Sequence, residues 1–233
     1  AGDLVLYDEL VHASAHEGMR TSRADLRAFR HNDAADARNV LTEWRSAGGP
    51  GQVWIAVESV YSMEGDLAPL KDLSCLARES EAVVIVDEAH ATGVFGANGK
   101  GLAHDLNVDL LTLHTCGKGL GVSGGLICGP RAMIDTLINR ARPFIFATAP
   151  SPLNAALVRA VLRELDGTDE LVTAARKRLR HAHDAARETG LPDTALNSQI
   201  IPVVLGDEAR TMAMAQALQH QGFDIRGIRP PTV

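Results

Sequence analysis

Cysteine is scarce and unpatterned in this chain: Cys75, Cys116 and Cys128 are its only three, with no C-x-x-C spacing among them. An odd, scattered set offers neither a disulfide framework nor a zinc site, so a reducing, cytoplasmic setting without a metal is expected. Excess positive charge is missing too. With 23 Lys and Arg against 29 Asp and Glu, the net charge of −6 leaves no basic footprint for nucleic acid or an anionic membrane. Apolar runs such as AVVIV (82–86) fall far short of a bilayer span, and the N-terminus lacks the charged-then-apolar pattern of a signal peptide. There is no internal repeat and no low-complexity tract. The chain opens Ala-Gly rather than with Met, and reads as a piece of something longer.

What is present is an ordinary globular composition. The 233 residues, 45% hydrophobic and 22% charged, suffice for a sizeable core. Apolar runs of strand length alternate with segments of helical period, the pattern of an α/β sheet. Strands are predicted at 3–8, 53–59, 82–88, 110–115, 124–129 and 200–206, and helices at 13–21, 34–46, 69–80, 131–140, 152–165, 169–189 and 208–221. The run AVVIV belongs at a sheet centre, because parallel strands buried on both faces read as continuous Val/Ile/Leu. A large domain over 1–153 is expected, followed over 154–233 by linking helices and an incomplete, smaller α+β domain.

The stretch LLTLHTCGKGLGVSGG (110–125) sets a lone lysine among glycines directly after an apolar run. A phosphate loop, G-x-x-x-x-G-K-[ST], is excluded: Thr112 stands where its first glycine belongs and Gly119 where its hydroxyl belongs. That leaves a Schiff-base lysine or a solvated lysine in a turn. VIVDEAH (84–90) resembles a helicase-type ATPase strand, but such an ATPase needs its phosphate loop upstream, and no Gly-Lys pair precedes this strand. In an open α/β sheet ligands bind beyond the carboxyl ends of the strands. The groups there are His12, Glu58, Ser62, Asp87, His90, Thr115 and Lys118.

A lysine, an aspartate and a histidine so placed suit pyridoxal phosphate, whose ring nitrogen needs a carboxylate to stay protonated. Asp87 is the natural partner for that nitrogen. His90 could donate to the phenolate oxygen, and His12 could lie on the ring face.

HASAHEGMR (12–20), ESVYSMEGDLAPL (58–70), VDEAHATGVFGANGKG (86–101), TCGKGLGVSGG (115–125), ARPFIFATAP (141–150) and IRPPTV (228–233) resemble, in order and spacing, the α-oxoamine synthases, pyridoxal phosphate enzymes of fold type I. The resemblance implies an aminotransferase-like large domain with a mostly parallel sheet. By position it implies Lys118 as the Schiff-base lysine, Asp87 on the pyridine nitrogen, His90 on the phenolate oxygen and His12 stacked on the ring. Ser62 and Thr115 match cofactor contacts, Thr115 toward the phosphate. Thr148 matches a hydroxyl reaching the phosphate of a neighbouring subunit, hence a homodimer, and Thr232 a substrate contact. Within the family, GKGLGVSGG, ARPFIFATAP and RPPTV look most like the member that condenses L-alanine with a pimeloyl thioester, pimeloyl-CoA or a pimeloyl carrier protein, in biotin synthesis. Sister enzymes use glycine, and a truncated, silent homologue serving as a dimerisation module is the remaining class. The family's upstream glycine-aromatic phosphate turn and downstream carboxylate-binding arginine have no counterpart in this stretch, so an internal fragment is expected.

Overall fold

A computed structural model describes residues 2–193 and 196–230. Its centre is a six-stranded sheet in the order β2-β1-β3-β4-β5-β6. The strands are β1 (Leu4–Asp8), β2 (Asp25–Phe29), β3 (Val53–Glu58), β4 (Val83–Asp87), β5 (Leu110–Thr115) and β6 (Gly125–Cys128). All pairings are parallel except that of β5 with β6. β3 and β4 lie at the centre, where the AVVIV run was expected.

Side chains alternate across the pleat, so each strand feeds both faces. Leu4, Leu6, Ile55, Val84 and Val86 point to one face and are almost wholly buried there. Two helices cover them. α2 (Ala34–Ser46) buries Ala37, Leu41 and Trp44, and α3 (Leu70–Ser80) buries Leu70, Leu73, Leu76 and Ala77. The i, i+4, i+7 spacing in α2 and the i, i+3, i+7 spacing in α3 make one apolar stripe on each. Asp33 starts α2 by accepting the Asp36 amide at 2.8 Å. On the opposite face, Val5, Trp54, Ala56 and Ile85 line a cavity of about 540 Å³ that also touches α1 (Ala13–Arg20).

Beyond the sheet come α4 (Arg131–Arg140), the short α5 (Arg142–Ile145), α6 (Pro152–Gly167), α7 (Glu170–Glu188) and α8 (Glu208–His220). A second apolar cluster joins Val158 and Leu165 of α6 and Val172 of α7 to Cys116 and Leu120, in the turn after β5. Arg176 of α7 donates to the carbonyls of Val94 and Gly96. Among the described residues no helix is long and apolar enough to cross a membrane.

Two expectations change. Residues 200–206 form no strand: among the described residues none of them makes a backbone–backbone hydrogen bond, and Val203 and Val204 are 61% and 88% exposed. Alternating apolar residues make a strand only where a partner strand satisfies the backbone. Conversely β2 (DLRAF) was not anticipated. It is an edge strand with only Phe29 buried, so it lacks the apolar run that marks its neighbours.

If the β-sheet core carries the stability, Ile55→Ala should cost about 2–5 kcal/mol through lost burial and a residual cavity. Denaturant unfolding checks this; a change below about 0.5 kcal/mol, the scale of surface substitutions, would contradict a core role for this fully buried side chain.

Candidate active site

Parallel strands end in step, and here that places ionisable groups side by side. In the β3–β4 register Glu58 stands opposite Asp87, and in the β4–β5 register Asp87 stands opposite Leu113, two residues before Thr115. Each strand then runs into a turn that carries another polar group. β1 leads to His12, which caps α1 by taking the Ser14 amide at 3.2 Å on Nδ1. β4 leads to His90, and β5 to Lys118.

Lys118 and His90 are in direct contact, with Nζ 2.8 Å from Nε2. The two turns are also pinned together through backbone. A Cβ on Gly119 would lie 2.1 Å from the Thr92 carbonyl oxygen, so only glycine lets the lysine turn approach the histidine turn this closely. The His90 imidazole is held below its ordinary pKa, first by burial and then by the charge of Lys118, with Asp87 opposing. A neutral Nε2 can accept from the lysine ammonium. Asp87 is half-buried, and its Oδ1 accepts the Ala89 amide at 2.9 Å, which fixes the carboxylate at the strand end.

Glu58 is the most perturbed carboxyl at this edge. It is 3% exposed, and its Oε1 is buried without a hydrogen-bond partner among the described residues. Burial and then the Asp87 charge raise its pKa from 4.5 to about 7, with the His12 amide and Lys118 pulling the other way. Like charges on adjacent strands cannot both ionise cheaply. The edge therefore keeps one carboxylate charged most readily when the other holds a proton.

Of the residues singled out from sequence, Lys118, His90, Asp87 and His12 converge here through these contacts and fields. Ser62 and Thr115 sit half-buried at neighbouring strand ends, and among the described residues neither hydroxyl bonds to Lys118, Asp87 or either histidine. Thr148 is exposed in the segment between α5 and α6. Thr232 lies outside the described residues. Glu88, also in the VDEAH run, turns the other way: it is fully buried and binds Ser59 Oγ and the Ala103 amide, each at 2.5 Å. Gln199 was not singled out from sequence. Its Nε2 donates to the His90 carbonyl at 2.6 Å, and nothing local in the sequence signals a contact 109 residues away.

These groups can form a carbonyl-reactive amine backed by an acceptor imidazole, with a carboxylate at its side. The sequence profile of the aminotransferase class I and II family matches residues 1–233. The chain is 40% identical over 239 residues to 8-amino-7-oxononanoate synthase of Acidithiobacillus ferrooxidans, covering 100% of this chain and 59% of that protein. It is 39% identical to the Geobacter sulfurreducens protein of the same name, covering 60% of it. Among solved structures, serine palmitoyltransferase from S. paucimobilis with a bound PLP–myriocin aldimine superposes with a TM-score of 0.87 at 29% identity, covering 97% of this chain and 59% of that one. The chain thus spans about three fifths of the length of the curated relatives it matches.

The raised Glu58 carboxyl makes a pH prediction. A group whose folded pKa lies above its unfolded value stabilises the fold at low pH, and that stability drains away as pH rises from 4.5 through about 7. At ~1.4 kcal/mol per pKa unit, the loss is on the order of 3 kcal/mol. Urea unfolding across this range should show the decline in wild type and a flatter profile in Glu58→Gln; parallel profiles would contradict the assignment.

Proposed function

Because the chain belongs to the aminotransferase class I and II family, we propose that its strand-end cluster holds pyridoxal phosphate and that the whole protein is an 8-amino-7-oxononanoate synthase. The observation that carries this reading is the contact of Lys118 Nζ with His90 Nε2 beside Asp87. Support comes from the curated relatives of that name at about 40% identity across the whole chain. The donor set fits the cofactor. Lys118 supplies the amine for its aldehyde, Asp87 the carboxylate for its ring nitrogen, His90 a donor for its phenolate oxygen and His12 a ring to stack on it. Ser62 and Thr115 are proposed as further contacts. Residues 1–153 would form the cofactor-binding domain, and 154–233 the start of a smaller one.

When bound, pyridoxal phosphate supplies an electron sink for charge developing at the substrate α-carbon. The chain's own groups do the rest. Asp87 would hold the proton on the ring nitrogen, and the proton on Glu58 limits the negative charge next to it. Lys118 Nζ would hold the cofactor's aldehyde carbon before L-alanine binds, and with the substrate in place it would stand free as an amine. The freed amine then removes and later returns the α-proton, work worth typically ~10²–10⁴-fold. The C–C bond would form between the alanine α-carbon and the acyl carbon of the pimeloyl thioester as the C–S bond breaks, the thiol would leave with a proton taken from solvent, and the carboxylate would leave as CO₂. Holding both partners over one strand edge lowers the entropic barrier to the condensation.

The surface around Thr148 supports a homodimer. Phe144 and Phe146 are 64% and 72% exposed, Leu153 is 66% exposed, and all flank that threonine. In a dimer this apolar segment would be covered and Thr148 would reach the partner's cofactor. Thr148→Ala should then weaken pyridoxal phosphate retention, and mixing it with a Lys118→Ala chain should restore a fraction of sites. A monomer by light scattering that keeps full cofactor affinity contradicts this arrangement.

Substrate choice is tested on the full-length protein in deuterium oxide. L-alanine should exchange its α-proton faster than glycine, and thiol should be released from a pimeloyl thioester. One methyl group is worth only ~1–3 kcal/mol, so the exchange preference should be 10- to 200-fold at most. Preference for glycine with acetyl or succinyl donors would overturn the alanine–pimeloyl assignment.

A further inference from the structure

His31 follows β2 and lies outside the Lys118 cluster, yet it is the best-connected imidazole of the chain. Nδ1 is 2.9 Å from Asp8 Oδ1 and Nε2 is 2.9 Å from Asp66 Oδ2. The Tyr61 ring meets it edge-on, with centroids 4.5 Å apart. A neutral imidazole has one N–H and one lone pair, so it could donate to only one of these carboxylates and would present a lone pair to the other. Donating at both ends requires the imidazolium. The other groups packed around it are the Asn32 side chain, whose Nδ2 donates to Asp66 Oδ2 at 3.0 Å and lies 3.2 Å from His31 Nε2, the Asn32 amide on Asp8 Oδ2, and Glu9, whose Oε1 accepts the His31 amide.

The two carboxylates belong to different parts of the site's frame. Asp8 ends β1 and opens the segment leading to His12, and its Oδ1 also accepts the Leu10 amide at 2.9 Å. Asp66 closes the segment that starts at Glu58 and carries Ser62, and its carbonyl accepts the Tyr61 amide at 3.0 Å. The cluster is costly. Tyr61 Oη, Asn32 Oδ1 and Asp66 Oδ1 are buried without a partner among the described residues, and a buried ion pair of this kind adds little net stability over an apolar replacement. A constraint on geometry accounts for it better than stability does.

We propose that His31 is a positioning residue that clamps the His12 segment to the Ser62 segment and thereby sets the spacing of the two walls between which the cofactor is held. The link to the cofactor rests on the function proposed above; the clamp itself does not. Burial pulls the His31 pKa down, but the hydrogen bonds to Asp8 and Asp66 outweigh it and leave it raised. A raised folded pKa means that the clamp is fully formed below the ordinary histidine value and opens as pH rises through the folded one.

Hydrogen exchange of the cofactor-free protein, expressed as protection factors over a pH series, tests the clamp. In wild type, segments 9–16 and 59–68 should lose protection together as pH rises through the His31 titration. His31→Gln should show low protection in both at every pH and no step. Unchanged protection and an unchanged step overturn the proposal. If His31→Gln also loosens β3 and β4, Asp66→Asn decides: it should loosen 59–68 more than 9–16, and equal loosening of both together with β3 and β4 overturns the proposal. Pyridoxal phosphate affinity should fall roughly tenfold or more in His31→Gln, the scale on which supporting partners act behind ligands elsewhere. A clamp seen by exchange in a protein that binds no pyridoxal phosphate would sink the proposed function and leave the clamp standing.

Discussion

Parallel pairing of β3 with β4 brings Glu58 level with Asp87, and the chemistry of the site follows from that register. A one-residue slip would turn one of the two carboxyls to the opposite face. In step, they share one edge, and burial with mutual repulsion pushes the proton onto Glu58. Asp87, its carboxylate fixed by the Ala89 amide, is the other member of that pair and faces His90. The apolar packing of α2 and α3 under the sheet serves this edge indirectly, since it holds the strands in register from below.

The turns beyond the strands add the second constraint. Gly119 lets the lysine turn rest on the Thr92 backbone, and the Lys118–His90 contact forms across that seam. Cys116, fully buried two residues before Lys118, anchors the same turn in the apolar cluster shared with α6 and α7. Arg176 on Val94 and Gly96, and Gln199 on the His90 carbonyl, tie the later part of the chain to the histidine turn. The later part of the chain is thus connected to the strand-end edge by side-chain-to-backbone hydrogen bonds as well as by apolar packing.

Much of this was legible in the sequence because buried parallel strands announce themselves as apolar runs and ligand sites follow their carboxyl ends. That rule collects Lys118, Asp87, His90 and His12 together with Glu58, Ser62 and Thr115, and the structure brings the first four to one sheet edge. β2 escaped because an edge strand with charged and half-exposed positions leaves little pattern, and IIPVVLG misled because periodicity cannot supply a neighbouring strand. Glu58 was visible as a strand-end group, but its perturbation depends on burial and on Asp87. The His31 clamp joins residues 23 and 35 positions apart, a distance at which no local pattern operates.

Lys118 is the amine proposed to take up pyridoxal phosphate. Incubation of the protein with pyridoxal phosphate, borohydride reduction and peptide mass mapping address it directly. A pyridoxyl group on Lys118 is the expected result. A label on Lys71, Lys100 or Lys177, the other lysines of the chain, or no label in folded protein, would contradict it.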